Sequence, residues 1–202
     1  MSLAKRLESL RERARRDIDG LDDDVLLSSR HAVLPAEVAV RHFLAPVRLG
    51  RASYDSPRQI KMAVAGGPGR EAPGGTPVVV PGTRVDLVVA IEGAETLAFM
   101  HEEDDDFDHA GIEIDLKEGR LMIGYVAEHP TPVRANQFFE DSLQMVEAEV
   151  ERTNETARAF NETLVPALTE TLEEARERAT ERQNLAASLK PPKSYERWWG
   201  RP

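Results

Sequence analysis

The chain contains no cysteine, which excludes a disulfide framework, a thiolate zinc or iron–sulfur site and a cysteine nucleophile together. Any chemistry has to come from carboxylate, imidazole, hydroxyl or amine groups. No stretch approaches the roughly 18 to 20 consecutive apolar residues of a membrane span, and the opening MSLAKRLESLRERARR carries charge where a secretory signal needs an apolar segment. A cytoplasmic protein without a membrane span is the expectation. Aromatic residues are scarce at 5%, so a core must be built mainly from aliphatic side chains. Cations are in deficit too: 26 Lys and Arg stand against 36 Asp and Glu, a net charge of −10 that repels a phosphate backbone. Nucleic acid is therefore not the expected partner. With 41% hydrophobic residues in 202, the chain can bury one sizeable core and carry a helical appendage.

Four segments follow from composition and periodicity. In 1–20, Leu7, Leu10, Ala14, Ile18 and Leu21 recur at spacings of three and four, the signature of one helix face. The other face is basic (Lys5, Arg6, Arg11, Arg13, Arg15, Arg16), and the helix runs out at Gly20 before Asp22, Asp23 and Asp24. Over 25–134, β-branched residues rise and Pro or Gly punctuates every eight to twelve residues, predicting a β-rich domain. Candidate strands are 37–43, 47–54, 59–64, 76–80, 85–91, 96–100, 111–116 and 121–128. Gly93 and the 117–120 segment are expected hairpin connections, so neighbouring strands should be antiparallel. In 85–91, alternation places Val85, Leu87, Val89 and Ile91 on one face and leaves Asp86 outside. The glycine-rich 66–75 run lacks the Gly-Lys-Ser/Thr ending of a phosphate cradle and is expected to be a linker loop. The fold class expected is α+β: a mostly antiparallel sheet, as sandwich or open barrel, with a short N-terminal helix and long C-terminal helices.

From 136 to 189 the apolar positions Phe139, Leu143, Val146, Val150, Thr153, Ala157, Phe160 and Leu164 step by four and three, a heptad seam. Such a coiled-coil-like seam predicts a homo-oligomer, with Phe139, Leu143, Val146, Val150, Phe160 and Leu164 at the interface. Beyond it the register moves to Leu168, Leu172, Ala175 and Ala179, beside Pro166. An interior proline removes one hydrogen bond, so two helices or one kinked helix are expected between about 137 and 182, with Thr163 as a candidate cap. The 190–202 tail carries both tryptophans, Trp198 and Trp199, next to Arg197 and Arg201. Two indoles are costly to leave in water, so the tail is expected to dock on its own chain, on a second copy or on another protein, which makes these four residues a candidate partner-binding element.

Two constellations could carry chemistry. His101, His109 and the six carboxylates between them offer ligands to a divalent cation, but a contiguous acidic run repels itself outward and lacks the spaced aspartates of an EF-hand. It is taken as a surface loop, with no metal and no cofactor assigned. In Glu113-Ile114-Asp115-Leu116-Lys117, alternation puts Glu113, Asp115 and Lys117 on one face. Asp-x-Lys at a strand end resembles the signature of the restriction-endonuclease-like nuclease superfamily. That resemblance implies that Asp115 and an upstream acid, Asp86 or Asp108, would hold magnesium while Lys117 steadies the attacking water. A polar exposed strand face accounts for the same residues without catalysis, and no catalytic residue is assigned. His31, His42 and His129 stand apart, with no nucleophile beside them.

The helical half carries Phe160-Asn161-Glu162-Thr163-Leu164, then Ala175-Arg176-Glu177-Arg178, then 184–189 and a proline pair. In this it resembles a group of largely uncharacterised bacterial proteins that join a β domain to a helix ending in Phe-Asn-x-x-Leu and an Arg-rich second helix. Their likeness to regulatory or sensing modules that can be joined to effector domains implies a defence or stress system, and leaves open a separately encoded effector as partner. The expected function is a non-enzymatic interaction or regulatory module that self-associates through its C-terminal helices; the rival is a metal-dependent nuclease or hydrolase.

Overall fold

The computed structural model describes residues 2–64, 78–101 and 111–189. In chain order the elements are α1 (Leu3–Asp19), α2 (Asp23–Leu26), a 3-10 turn (His31–Val33), α3 (Leu34–His42), β1 (Arg48–Tyr54), β2 (Arg58–Val64), β3 (Val78–Glu92), α4 (Ala94–His101), β4 (Ile112–Asp115), β5 (Arg120–Ala127) and α5 (Pro132–Ser188). The class is α+β with a wholly antiparallel five-stranded sheet, as the alternation pattern implied. The chain divides into two compact units, 44–159 and 2–43 with 160–202. No helix among the described residues is long and apolar enough to cross a membrane.

In the 44–159 unit, β3 is the strand on which the sheet is built. Its pairing with β5 runs from Thr83 opposite Ala127 to Ala90 opposite Arg120, and β4 pairs with the outer side of β5. Along its other edge β3 pairs first with β2, Val64 opposite Val78, and then with β1, Arg48 opposite Glu92. The strands expected at 76–80 and 85–91 are thus one 15-residue strand running through Pro81 and Gly82. The break falls instead on the facing side, at 55–57 between β1 and β2, where Pro57 has no N–H to give a ladder.

Leu87, Val89 and Ile91 of β3 share a buried cluster with Val47, Ile112, Leu121, Ile123, Leu97 and, from α5, Ala135, Phe139, Val146 and Val150. The first half of α5 therefore lies on one face of the sheet. Gly93, expected as a hairpin, instead turns the chain out of β3 into α4, with φ +72°. A side-chain carbon there would lie 2.5 Å from the Pro46 carbonyl oxygen, so only glycine fits. The segment 96–100, expected as a strand, belongs to α4. Ala94, Leu97 and Met100 recur at helical spacing and are buried, and this outweighs the β propensity of Thr96 and Phe99. The 117–120 connection is the hairpin expected, with Gly119 at φ +59°.

Asn154 of α5 supplies a contact that periodicity does not predict. The Val47 N–H donates to its Oδ1 at 2.7 Å, and its Nδ2 donates to the Val47 carbonyl at 2.9 Å. Val47 is 2% exposed, so its backbone would otherwise be unsatisfied just before β1 begins.

In the other unit, α1 and α3 pack with the second half of α5. Buried side chains are Ala14, Ile18, Leu26, Leu34, Val38 and Ala39 on the N-terminal helices, and Phe160, Leu164, Leu168, Leu172, Ala175 and Ala179 on α5. The 37–43 segment, expected as a strand, is helical because Pro35 starts a helix turn and Leu34, Val38 and Ala39 form one buried stripe. Helical structure in 23–42 thus occupies the start of the stretch expected to be β-rich. Polar pairs surround this contact: Arg178 donates to Asp19 at 2.6 Å, Arg182 pairs with Asp23, and His42 meets Asp17 at 2.8 Å. The Arg182 guanidinium holds the Asp23 carboxyl below its ordinary range. Arg11 bonds Glu8 and lies 5.8 Å over the Phe160 ring.

The two helices or one kinked helix expected around Pro166 are a single assigned helix, Pro132–Ser188, with that proline inside it. Pro166 is exposed, so water can reach the carbonyl its missing N–H leaves free. Thr163 caps nothing; its hydroxyl donates back to the Phe160 carbonyl at 2.9 Å. The true start is capped by Thr131 with Pro132 at the first position. The seam expected at an oligomer interface is covered inside each unit: Phe139, Val146 and Val150 by the sheet, with Leu143 against the same core, and Phe160 and Leu164 within the helical unit.

A seam buried in this way stabilises the single chain. Phe139→Ala should cost about 3 to 5 kcal/mol and Asn154→Ala about 1 to 3 kcal/mol in chemical denaturation. The midpoint of each should be independent of protein concentration; a midpoint that rises with concentration would put the seam between subunits.

Candidate functional site

The residues of the Asp-x-Lys reading can be located through the sheet register. Asp86 on β3 stands opposite Gly124 of β5, whereas Asp115 on β4 stands opposite Arg120. Four residues along β5 separate the two positions, roughly 13 Å. They are too far apart to share one ion. Each carboxylate is also engaged elsewhere. Asp115 Oδ1 accepts the backbone N–H groups of Lys117 at 3.1 Å and Glu118 at 3.2 Å, the arrangement that closes the β4–β5 hairpin. The Glu118 N–H first, then that of Lys117 and the charge of Arg120, hold the Asp115 carboxyl below its ordinary 3.8. Lys117 is exposed. Asp108 and the rest of the 102–110 acidic run lie outside the described residues, as does the tail with Arg197, Trp198, Trp199 and Arg201. Among the described residues, no group of three or more His, Asp or Glu could hold a metal ion.

Asp86 does sit on the face away from α5, as alternation requires, but it is 6% exposed. Arg84 Nε donates to it at 2.6 Å and Arg58 approaches at 3.1 Å. Arg84 then reaches on to Glu113 at 3.1 Å across Gly124, where a side-chain carbon would lie 2.8 Å from its Nη2. The missing side chain of Gly124 is what lets the guanidinium lie flat on the sheet. Asp86, with Glu113 second, raises the Arg84 pKa further. Each oxygen of the Asp86 carboxylate thus faces an arginine, and the group is almost closed to solvent.

Two surface grooves remain, both in the 44–159 unit. One, of about 440 Å³, runs between the start of β1 and α5 and is walled by Glu147, Glu151 and Glu155 over Val47, Leu49 and Val150. The other, of about 300 Å³, lies where β1 gives way to β2, and is lined by Tyr54, Pro57, Val85, Pro130, Pro132 and Phe139 with Thr83, Thr131 and Asn136 at its polar points. Tyr54 is 60% exposed while its ring stacks 5.4 Å from Phe139, itself in ring contact with Phe138 and Tyr125. An exposed aromatic in contact with a buried one, amid three prolines, is a surface of the kind that binds a ligand side chain. Sequence reasoning passed over Tyr54; the available signal was an aromatic, one of only three tyrosines, at a strand end followed by Asp-Ser-Pro.

No protein-family model, curated protein or solved structure matches the chain.

The hairpin role of Asp115 has a pH signature. Its carboxyl pKa is lowered on folding, so the stability it contributes is present above the ordinary 3.8 and is lost as pH falls through the lower folded value. Asp115→Ala should lower the melting temperature at neutral pH and flatten the acid limb of stability below about pH 4, while Lys117→Ala stays within about 0.5 kcal/mol of wild type. An Asp115→Ala variant with an unaltered acid limb would remove this role.

Proposed function

We propose that the protein is a non-enzymatic interaction module that binds another protein at the junction of β1 and β2. The observation that carries this reading is the proline- and aromatic-lined groove around Tyr54, where a large side chain stays exposed in a chain with few aromatics to expose. The Asp-x-Lys residues support the same reading from the other side: Asp115 closes a turn and Asp86 is locked between Arg84 and Arg58. The likeness of the helical half to regulatory modules of bacterial stress and defence systems fits a protein that acts by binding another protein. Self-association, where it occurs, requires a surface other than the seam from Phe139 to Leu164, whose side chains are already covered.

Site-specific photocrosslinking tests the reading. With a benzophenone amino acid replacing Tyr54, irradiation of the producing cells should yield a discrete heavier adduct. Mass spectrometry then identifies the partner, and the complex is rebuilt from purified components. The same photoprobe replacing exposed Asp141 serves as the control. Equal labelling at both positions, or none at either, refutes a binding surface at the junction.

A further inference from the structure

The edge strand beside this junction has a charge opposite to that of the protein. Residues 48–64 hold Arg48 and Arg51 on β1 and Arg58 and Lys61 on β2 against the single acid Asp55, in a chain of net charge −10; Arg48 is paired with Glu92 and Arg58 with Asp86. Arg51 and Lys61 are exposed and form no ion pair among the described residues. The ribbon of β2 with the first five residues of β3 is also the thinnest part of the sheet. β5 begins to pair with β3 only at Thr83, so residues 78–82 pair with β2 alone. Both faces of that ribbon are apolar: Met62 lies opposite Val80 and Val64 opposite Val78 on one, and Ala63 lies opposite Val79, 62% exposed, on the other. Two strands are marginal by themselves, and a third alongside β2 would cover apolar surface while pairing its free backbone edge.

From these features we infer that β2 is a docking edge for an extended, acidic segment of a partner protein, which adds to the sheet as a further strand. This deepens the interaction-module reading and rests on it. The register of β2 on β3 is unbroken from Arg58 to Val64, so a partner meets seven residues of regular backbone. A second copy of the same strand is the wrong occupant, because β2 carries no acid and so offers Lys61 no opposite charge in any register, while the registers that set Lys61 against Lys61 or Arg58 bring like charges together. A carboxylate on the partner strand facing Lys61 meets its unpaired charge instead, and main-chain pairing supplies the affinity that charge alone does not.

The experiment uses the full chain and a fluorescein-labelled nine-residue peptide alternating glutamate with valine and threonine, read by fluorescence anisotropy. Saturable binding below 1 mM is expected, weakening at least tenfold in each of three cases: lysine replacing the glutamates, methylation of alternate peptide nitrogens, and Lys61→Glu in the protein. Lys61→Gln, with its fold checked by circular dichroism, should lose severalfold and covers the case in which charge reversal disturbs folding. Undiminished binding of the methylated peptide would overturn strand addition in favour of plain charge attraction. An oligonucleotide that binds as tightly and displaces the peptide would make the edge a nucleic-acid surface and overturn the proposal. Absence of peptide binding at 1 mM overturns it as well. If crosslinks at position 54 persist in that case, the interaction-module reading stands without this edge; if they too are missing, both fail.

Discussion

One apolar stripe organises both compact units. Along α5, a side chain at every third or fourth position from Phe139 to Ala179 is buried, first against the sheet and then among the N-terminal helices. A helix of this length with so many carboxylates has little reason to persist in water unless that stripe is covered. Burying large aliphatic and aromatic side chains contributes roughly 1.5 to 3 kcal/mol apiece, enough to hold an uninterrupted helix through an exposed proline that costs about 3 kcal/mol in a helix interior.

The sheet shows the same dominance of burial over local preference. β3 runs through Pro81 and Gly82 where it pairs with β2 alone, and its path beyond them is fixed by pairing on both sides and a buried row of Leu87, Val89 and Ile91. On the opposite face, burial of Asp86 is compatible with folding only because Arg84 and Arg58 satisfy it, and Gly124 leaves room for the Arg84 guanidinium beside it. A polar network of this kind makes the outer face of the sheet rigid. It also removes from solvent the carboxylate that a hydrolytic reading needs.

The β1–β2 junction gathers three accessible features: an aromatic groove on the helix side, a cation-bearing edge, and a two-stranded ribbon with apolar residues on both faces. These features are complementary in kind. A groove anchors a side chain, an edge pairs a backbone, and a charge pattern selects the partner's sign. All three draw on residues 48–64, which is the reason the functional reading centres there and not on the groove beside Glu147, Glu151 and Glu155 of α5.

Much of the fold was legible in the sequence. The period-two alternation of 85–91 and 111–116, the 117–120 hairpin, the N-terminal amphipathic helix and the stripe of α5 all reflect patterns whose spacing matches a single secondary structure. The errors fall where short apolar runs suit either geometry. The segments 37–43 and 96–100 became helices because Val38 with Leu34, and Leu97 with Ala94, found burial at helical spacing. The candidate site was barely legible. Tyr54, Pro57 and Phe139 are brought together by strand pairing and helix docking across 85 positions of sequence, and Asn154 reaches Val47 across 107. Local composition by itself determined which residues must be buried and which segments repeat at 2 or 3.6 residues, since these are properties of side chains and backbone geometry. Which surface buries each stripe, whether a seam faces its own chain or another, and where an aromatic stays exposed were decided only by tertiary structure, because those outcomes depend on distant segments competing for the same apolar face.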